Sequence, residues 1–361
     1  MWSVRAAVGA TQIGSDLPVR PPHGRPYWFH SAVDQQLTTV GASLARSDER
    51  MISGRNAAGR VWKTGFTGLD PAIGGGLRAG SLTLIAGPQG MGKSTFALQI
   101  ARNNAATGRP VLYFSYEHDA EDMTQKLLAM EAGELDESDQ VRVNQIRSVF
   151  DDLWVSSLER RMEAVPCGAE ALERVAAYSE MLFLHRSTGT RTDLTAIMNA
   201  IEVVREFAGS TPLVVVDYLQ KVKSTHLDDE ARATEVVEGL KDLAIDINAP
   251  VVAIAAAEKE ALRTGKRMRA NDLRGSSALA YEADVVMVLN NKFDIVARHH
   301  LTYDVGNAER FREYAVLTVD KNRFGRDGVV LQFKTRFDQG RYDPNGTEVK
   351  EQLIDERVFR E

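Results

Sequence analysis

Apolar residues in this chain gather into short unbroken runs separated by stretches of helical spacing. Leu82-Thr83-Leu84-Ile85-Ala86, Val111-Leu112-Tyr113-Phe114-Ser115-Tyr116-Glu117, Met181-Leu182-Phe183-Leu184-His185, Leu213-Val214-Val215-Val216-Asp217, Val251-Val252-Ala253-Ile254 and Val285-Val286-Met287-Val288-Leu289 are of strand length. Continuous hydrophobicity marks strands covered on both faces. Between the runs, Phe96, Leu98, Ile100 and Ala101 recur at helical spacing, as do Met123, Leu127, Leu128 and Met130. Leu194, Ile197, Ile201 and Val204, then Val236, Val237, Leu240 and Leu243, do the same. Gly108-Arg109-Pro110 and Gly209 stop two of these helices. Strands alternating with helices predict an α/β fold with a doubly wound, mostly parallel sheet.

The flanks read differently. Tyr314 to Val319 and Val329 to Phe333 are two strands around Asp320 to Gly328, and the Asp327-Gly328 pair predicts a C-terminal β-hairpin. Seven glycines from Gly65 to Gly87 predict tight turns before the first strand. Residues 1 to about 30 are rich in Pro, Gly and Arg, which predicts an extended or disordered arm that a protein partner could order. Val33, Leu37, Val40 and Leu44 give Ala32 to Ser47 the pattern of a linker helix. The expected organisation is an arm and linker helix over 1–59, a core domain over 60–345 and a tail over 346–361.

Composition narrows the classes. Of 361 residues 43% are hydrophobic, enough for a sizeable core, and the single cysteine, Cys167, excludes an intrachain disulfide or a cysteine-built zinc site. That usage suits a reducing cytoplasm. No apolar run approaches membrane-spanning length, and Arg5 interrupts the only apolar patch of the N-terminus, which argues against a secretory signal. The net charge of -6 does not advertise a nucleic-acid binder, so any basic surface is local. The best candidate is Glu258 to Arg274, where Lys259, Arg263, Lys266, Arg267, Arg269 and Arg274 outnumber Glu258, Glu260 and Asp272.

The chemistry centres on Gly87-Pro88-Gln89-Gly90-Met91-Gly92-Lys93-Ser94-Thr95, which fits G-x-x-x-x-G-K-[ST] between a strand and a helix. Glycines let backbone N–H groups curl around phosphate oxygens, and the helix N-terminus adds partial positive charge. Gly87, Gln89, Gly90, Gly92, Lys93, Ser94 and Thr95 are therefore the expected nucleotide contacts. Lys93 would reach the β- and γ-phosphates of ATP, and the Ser94 hydroxyl would ligate Mg²⁺. Asp217, at the end of its strand, has the position of a Walker B carboxylate that holds Mg²⁺. Glu117, at the end of another, is the natural group to orient an attacking water.

These motifs resemble the C-terminal ATPase domain of DnaB-family replicative helicases, within the RecA-like superfamily. Thr64-Gly65-Phe66 with Leu69-Asp70 resembles the family's domain start, and Phe114-Ser115-Tyr116-Glu117 resembles its strand ending in the catalytic glutamate. Val216-Asp217-Tyr218-Leu219-Gln220 is similar to its Walker B block, which makes Gln220 a nucleotide-site residue by resemblance. Asp272-Leu273-Arg274-Gly275-Ser276 resembles the motif beside its DNA-binding loops, so Lys266, Arg267, Arg269 and Arg274 are the expected DNA contacts. Lys321-Asn322-Arg323-Phe324-Gly325 resembles the hairpin that such proteins insert into a neighbour's site, and also the signature of the recombination ATPase RadA. Lys321 and Arg323 would then act in trans on the γ-phosphate.

The resemblance, over roughly residues 60 to 343, implies a homohexameric ring with ATP between subunits, single-stranded DNA in the channel, and translocation or unwinding as the output. Two departures stand beside it. Residues 1 to 60 are shorter than the collar domain of replicative helicases, so contacts made there do not carry over. Ala255-Ala256-Ala257 stands where the family has a polar sensor. Both keep a second reading open, a nucleotide-gated assembly module that acts on protein partners without moving a strand.

Overall fold

The computed structural model describes residues 38–52, 60–136, 138–151, 155–257, 266–273, 275–302 and 305–354. The chain divides into two units after Ala57. In the first, helix α1 (Val40–Ile52) leaves Val40, Leu44, Met51 and Ile52 exposed. The helix expected over Ala32 to Ser47 begins later, at Val40, and residues 32–37 and the N-terminal arm lie outside the described residues.

The second unit opens with a two-stranded ribbon, β1 (Val61–Trp62) antiparallel to β2 (Leu77–Arg78), with the short helix α2 (Leu69–Ala72) between them. The Asp70 carboxylate accepts from Thr64 N–H at 2.8 Å and from the Thr64 hydroxyl at 2.9 Å, which gives the Thr64 to Asp70 block a structural job. All seven glycines from Gly65 to Gly87 have positive φ, so the expected turns are present.

The alternating part follows: β3 (Leu82–Ala86), α3 (Lys93–Ala105), β4 (Val111–Ser115), α4 (Ala120–Leu135), α5 (Val143–Asp151), α6 (Leu158–Met162), α7 (Gly168–Tyr178), β5 (Leu182–Arg186), α8 (Leu194–Ala208), β6 (Leu213–Asp217), α9 (Asp229–Ile247), β7 (Val251–Ile254), α10 (Ser276–Glu282) and β8 (Val285–Asn291). Helix starts obey local chemistry. Asp119, Asp193 and Asp228 cap α4, α8 and α9 with side-chain acceptors for the N–H groups of Asp122, Ala196 and Ala231. Three short helical segments then lead to β9 (Tyr314–Asn322), β10 (Val329–Arg336), β11 (Arg341–Tyr342) and β12 (Thr347–Glu348).

Among the described residues the main sheet has ten strands, ordered β11-β10-β9-β8-β3-β7-β6-β4-β5, with β12 on β10. From β8 to β5 every pair is parallel; β8-β9, β9-β10 and β10-β11 are antiparallel. This is the α/β architecture that the apolar runs predict, hairpin included. β3, β4, β6 and β7 are buried along their whole length, as continuous runs require, whereas the sheet-edge strand β5 is half-buried. The hairpin strands extend beyond the expected bounds, so Lys321 lies within β9 and Arg323 just past it.

An aromatic cluster joins the start of this unit to its end. Phe66 stacks on Phe96 of α3 at 4.2 Å, and Phe333 and Tyr342 meet them edge-on. Beside it, the buried Gln99 carboxamide closes a two-way clamp: Nε2 donates to Tyr342 O at 3.0 Å and Oε1 accepts from Tyr342 N–H at 2.9 Å. Leucine at position 99 fills similar volume and leaves both backbone groups without a partner. Gln99→Leu is therefore expected to lower stability by about 2–4 kcal/mol in chemical denaturation; an unchanged midpoint and slope would show that the clamp contributes nothing net.

Candidate nucleotide site

The phosphate loop runs from the carboxyl end of β3, the strand flanked by β7 and β8, to the N-terminus of α3. Two glycines are fixed by close approach. A Cβ at Gly87 would sit 2.4 Å from Leu289 O of β8, and one at Gly92 would sit 2.5 Å from the Phe337 ring. The Tyr342 hydroxyl donates to Met91 O. The loop is thus gripped from β8 and from the C-terminal segment, and it leads directly into the N-terminus of α3. Lys93 Nζ donates to Gly87 O and Pro88 O, both at 2.9 Å. Burial lowers its proton affinity, and the carboxylates of Asp217 and Glu117 work against that.

Asp217 closes β6 and is 4% exposed. Its Oδ2 accepts from the Tyr113 hydroxyl at 2.8 Å, and the Ser94 hydroxyl hydrogen-bonds the same carboxylate. Burial pushes its pKa up, the Ser94 and Tyr113 hydrogen bonds pull it down, and the Glu117 charge adds to the rise. The two residues expected to meet Mg²⁺ are therefore side by side, and a hydroxyl with a carboxylate is an oxygen pair suited to a hard cation. Among the described residues no cluster of three His, Cys, Asp or Glu side chains is present to hold a metal alone. The pair fits a magnesium ion that takes its remaining ligands from phosphates and water.

Glu117 departs from the expected strand end. β4 stops at Ser115, level with Asp217 in the register, and Glu117 stands two residues further on in an exposed turn. The Ser115 hydroxyl ends the strand: it donates to His118 O at 2.7 Å and accepts from His118 N–H at 3.0 Å. Tyr116 N–H donates to Asp217 O at 3.0 Å, which ties this turn to the Asp217 backbone.

Gln220, in the single helical turn after β6, reaches sideways to the segment that follows β7: its Oε1 accepts from Ala256 N–H at 3.0 Å. Lys321 and Arg323 sit at the end of their own α10. Lys321 Nζ donates to Ala280 O and Tyr281 O at 2.7 Å each, and Arg323 meets Tyr281 O at 3.0 Å and Asp284 Oδ1 at 3.3 Å.

The expected DNA contacts divide. Lys266 is exposed and pairs with Asp272; Arg269 pairs with Asp320 at 2.7 Å. Arg267 is a correction: it is 1% exposed and donates to Thr318 Oγ1 of β9 at 2.7 Å. The cause lies next door, where the Asn290 carboxamide takes both Met268 N–H and Met268 O and draws this segment against β8. Arg274 and residues 258–265 lie outside the described residues. Sequence reading misses Tyr113, whose hydroxyl inside an otherwise apolar run is the available signal. It also misses Phe337, an aromatic ring 40% exposed beside Gly92, for which local sequence carries no signal.

The comparisons agree with this geometry. The family description "DnaB-like helicase C terminal domain" fits residues 62–340. The replicative DNA helicase DnaB of Haemophilus influenzae is 31% identical over 307 residues, 82% of this chain and 56% of that protein. That of Buchnera aphidicola is 29% identical over 322 residues, 87% of this chain and 61% of that protein. The chain thus spans less than two thirds of the length of these relatives. Among solved structures, one ATPase domain superposes with a TM-score of 0.65 at 20% identity, over 84% of this chain and 98% of that one. A DnaB-like replicative helicase, studied with its interactions with primase, gives 0.64 at 19%, over 84% and 68%. Both likenesses support the RecA-like fold. With the phosphate loop, the Asp217 strand end and the C-terminal hairpin in this order on this sheet, the chain belongs to the family of DnaB-like helicase C-terminal domains.

Proposed function

We propose that this chain is an ATP-hydrolysing, ring-forming motor of the DnaB type, a cytoplasmic homohexamer that translocates on or unwinds DNA with one strand in its channel. The observation that carries the reading is the junction of Ser94 with Asp217 beside Lys93 and Glu117. Lys93 leaves the Gly87 and Pro88 carbonyls for the β- and γ-phosphates, and the N-terminus of α3 supports the same charge. Ser94 and Asp217 hold magnesium, which neutralises charge on the phosphates when bound. Glu117, on its exposed turn, accepts a proton from the attacking water and aligns it. The exposed face of Phe337 beside Gly92 suits stacking on the base. Lys321 and Arg323 complete the site of a neighbouring subunit. The N-terminal arm is left for a protein partner, and among the described residues no helix is long and apolar enough to cross a membrane.

A second reading, nucleotide-gated assembly without strand movement, is favoured by one observation: β7 runs into Ala255-Ala256-Ala257, which offers no polar side chain to the nucleotide. Turnover that does not respond to single-stranded DNA would select it.

Lys93→Ala is expected to abolish nucleotide binding, whereas Glu117→Gln should bind normally and lose turnover by about a hundredfold or more. Equilibrium binding beside steady-state hydrolysis separates the two; wild-type turnover in Glu117→Gln would mean another group aligns the water. Arg323→Ala should be inactive alone and regain activity when mixed with Glu117→Gln, because some mixed interfaces pair an intact Glu117 with an intact Arg323. No recovery despite proven subunit exchange would rule out action in trans. For DNA, the joint substitution Lys266→Ala and Arg269→Ala should flatten log affinity against log salt by about 0.7 for each phosphate no longer neutralised. An unaltered slope would move the DNA path away from this segment.

A further inference from the structure

Tyr113 lies in the middle of β4, a strand buried along its whole length, and is itself 1% exposed. Phe114 beside it, and Val214, Val215 and Val216 on the neighbouring strand, are the apolar side chains that such depth demands. A phenylalanine would fill the same space, so the hydroxyl is the part of Tyr113 that packing does not account for. A hydroxyl carried to that depth is costly unless it finds an acceptor. It donates to Asp217 Oδ2 at 2.8 Å.

Register brings the two residues together. Tyr113 is level with Val215, and Ser115 is level with Asp217, so Tyr113 and Asp217 stand two positions apart on paired parallel strands and share one face of the sheet. Three groups then hold Asp217: Tyr116 N–H donates to its backbone O at 3.0 Å, the Ser94 hydroxyl meets its carboxylate from the start of α3, and the Tyr113 hydroxyl meets it from within β4. Ser94 belongs to the phosphate loop and Tyr116 to the Glu117 turn. Tyr113 instead anchors the carboxylate to the interior of the sheet.

Such an anchor acts on cation binding in two opposite ways. A donor draws negative charge off the carboxylate, which weakens its pull on Mg²⁺, but it also fixes the carboxylate's rotation before the ion arrives. Removing a hydrogen-bond partner of a metal-ligating group typically costs about 10–100-fold in metal affinity, so the orienting effect decides the sign. We propose that Tyr113 is a positioning residue for the metal: its hydroxyl keeps the Asp217 carboxylate on the Ser94 hydroxyl and so sets how tightly the nucleotide site takes Mg²⁺. This rests on the ATPase reading. Tyr113 acts through Asp217 and touches neither the ion nor the nucleotide.

The test measures equilibrium binding of a non-hydrolysable ATP analogue to the full chain and to Tyr113→Phe, first in EDTA and then across a Mg²⁺ titration. In EDTA the variant should bind within about twofold of the parent, whereas the Mg²⁺ concentration that gives half of the metal-dependent gain in affinity should rise about tenfold or more. Steady-state hydrolysis should show the same displacement along the Mg²⁺ axis, with the rate at saturating Mg²⁺ close to that of the parent. Should Tyr113→Phe not fold, Tyr113→Met, which also lacks the donor, gives the same comparison. A Mg²⁺ dependence that is unchanged or tighter, or equal losses with and without the ion, would overturn the role while leaving the ATPase reading intact. A parent chain that binds no nucleotide with or without Mg²⁺ would remove both.

Discussion

Everything in this site depends on parallel register. Hydrogen-bonded pairing holds Ser115 level with Asp217, Val216 level with Ala253, and Ala253 level with Leu84, so the carboxyl ends of β4, β6, β7 and β3 finish along one edge. The groups at those ends come from segments far apart in sequence, yet they meet because every parallel strand of the central sheet must end on the same side. Burial on both faces makes the register costly to shift: a slip of one residue would exchange the side chains that face the two helical layers.

That edge also carries a strong electrostatic demand. Asp217 is held nearly dry, with burial working against its charge and the hydroxyls of Ser94 and Tyr113 working for it. A nearly dry carboxylate with two hydroxyl donors is pre-arranged for a cation rather than for water, because its orientation is already set before any ligand arrives. Lys93 is similarly arranged, its ammonium kept on loop carbonyls that phosphate oxygens can replace. The glycines do the complementary work, since Gly87 and Gly92 let the loop backbone lie against Leu289 O and the Phe337 ring.

Much of this is legible in the chain alone. The strands β3, β4, β6, β7 and β8 announce themselves because a two-sided burial environment demands unbroken apolar runs, and the phosphate loop because its chemistry leaves so few residue choices. Glu117 is legible by type but not by place, since the Ser115 hydroxyl stops β4 by a contact that periodicity does not encode. Arg267 reads as a surface cation because local charge is the only information its neighbourhood offers. Its burial depends on Thr318 and on Asn290, neither of which is near it in sequence. Gln99 and Phe337 share that limitation, as their roles arise from what the C-terminal segment brings to α3 and to the loop.

The hairpin is also a mechanical part. Arg323 is tied to the Asp284 side chain and, through its own N–H, to Asp284 O, while the same carboxylate accepts from Lys241 and from Leu82 N–H, the first residue of β3. Lys321 is tied to the end of α10 just before. The tip of the hairpin therefore has a short load path to the root of the strand that bears the phosphate loop. A pull on one cation is a pull on a shared anchor, and strain applied at the hairpin tip is delivered to the middle of the sheet through a chain of charged hydrogen bonds.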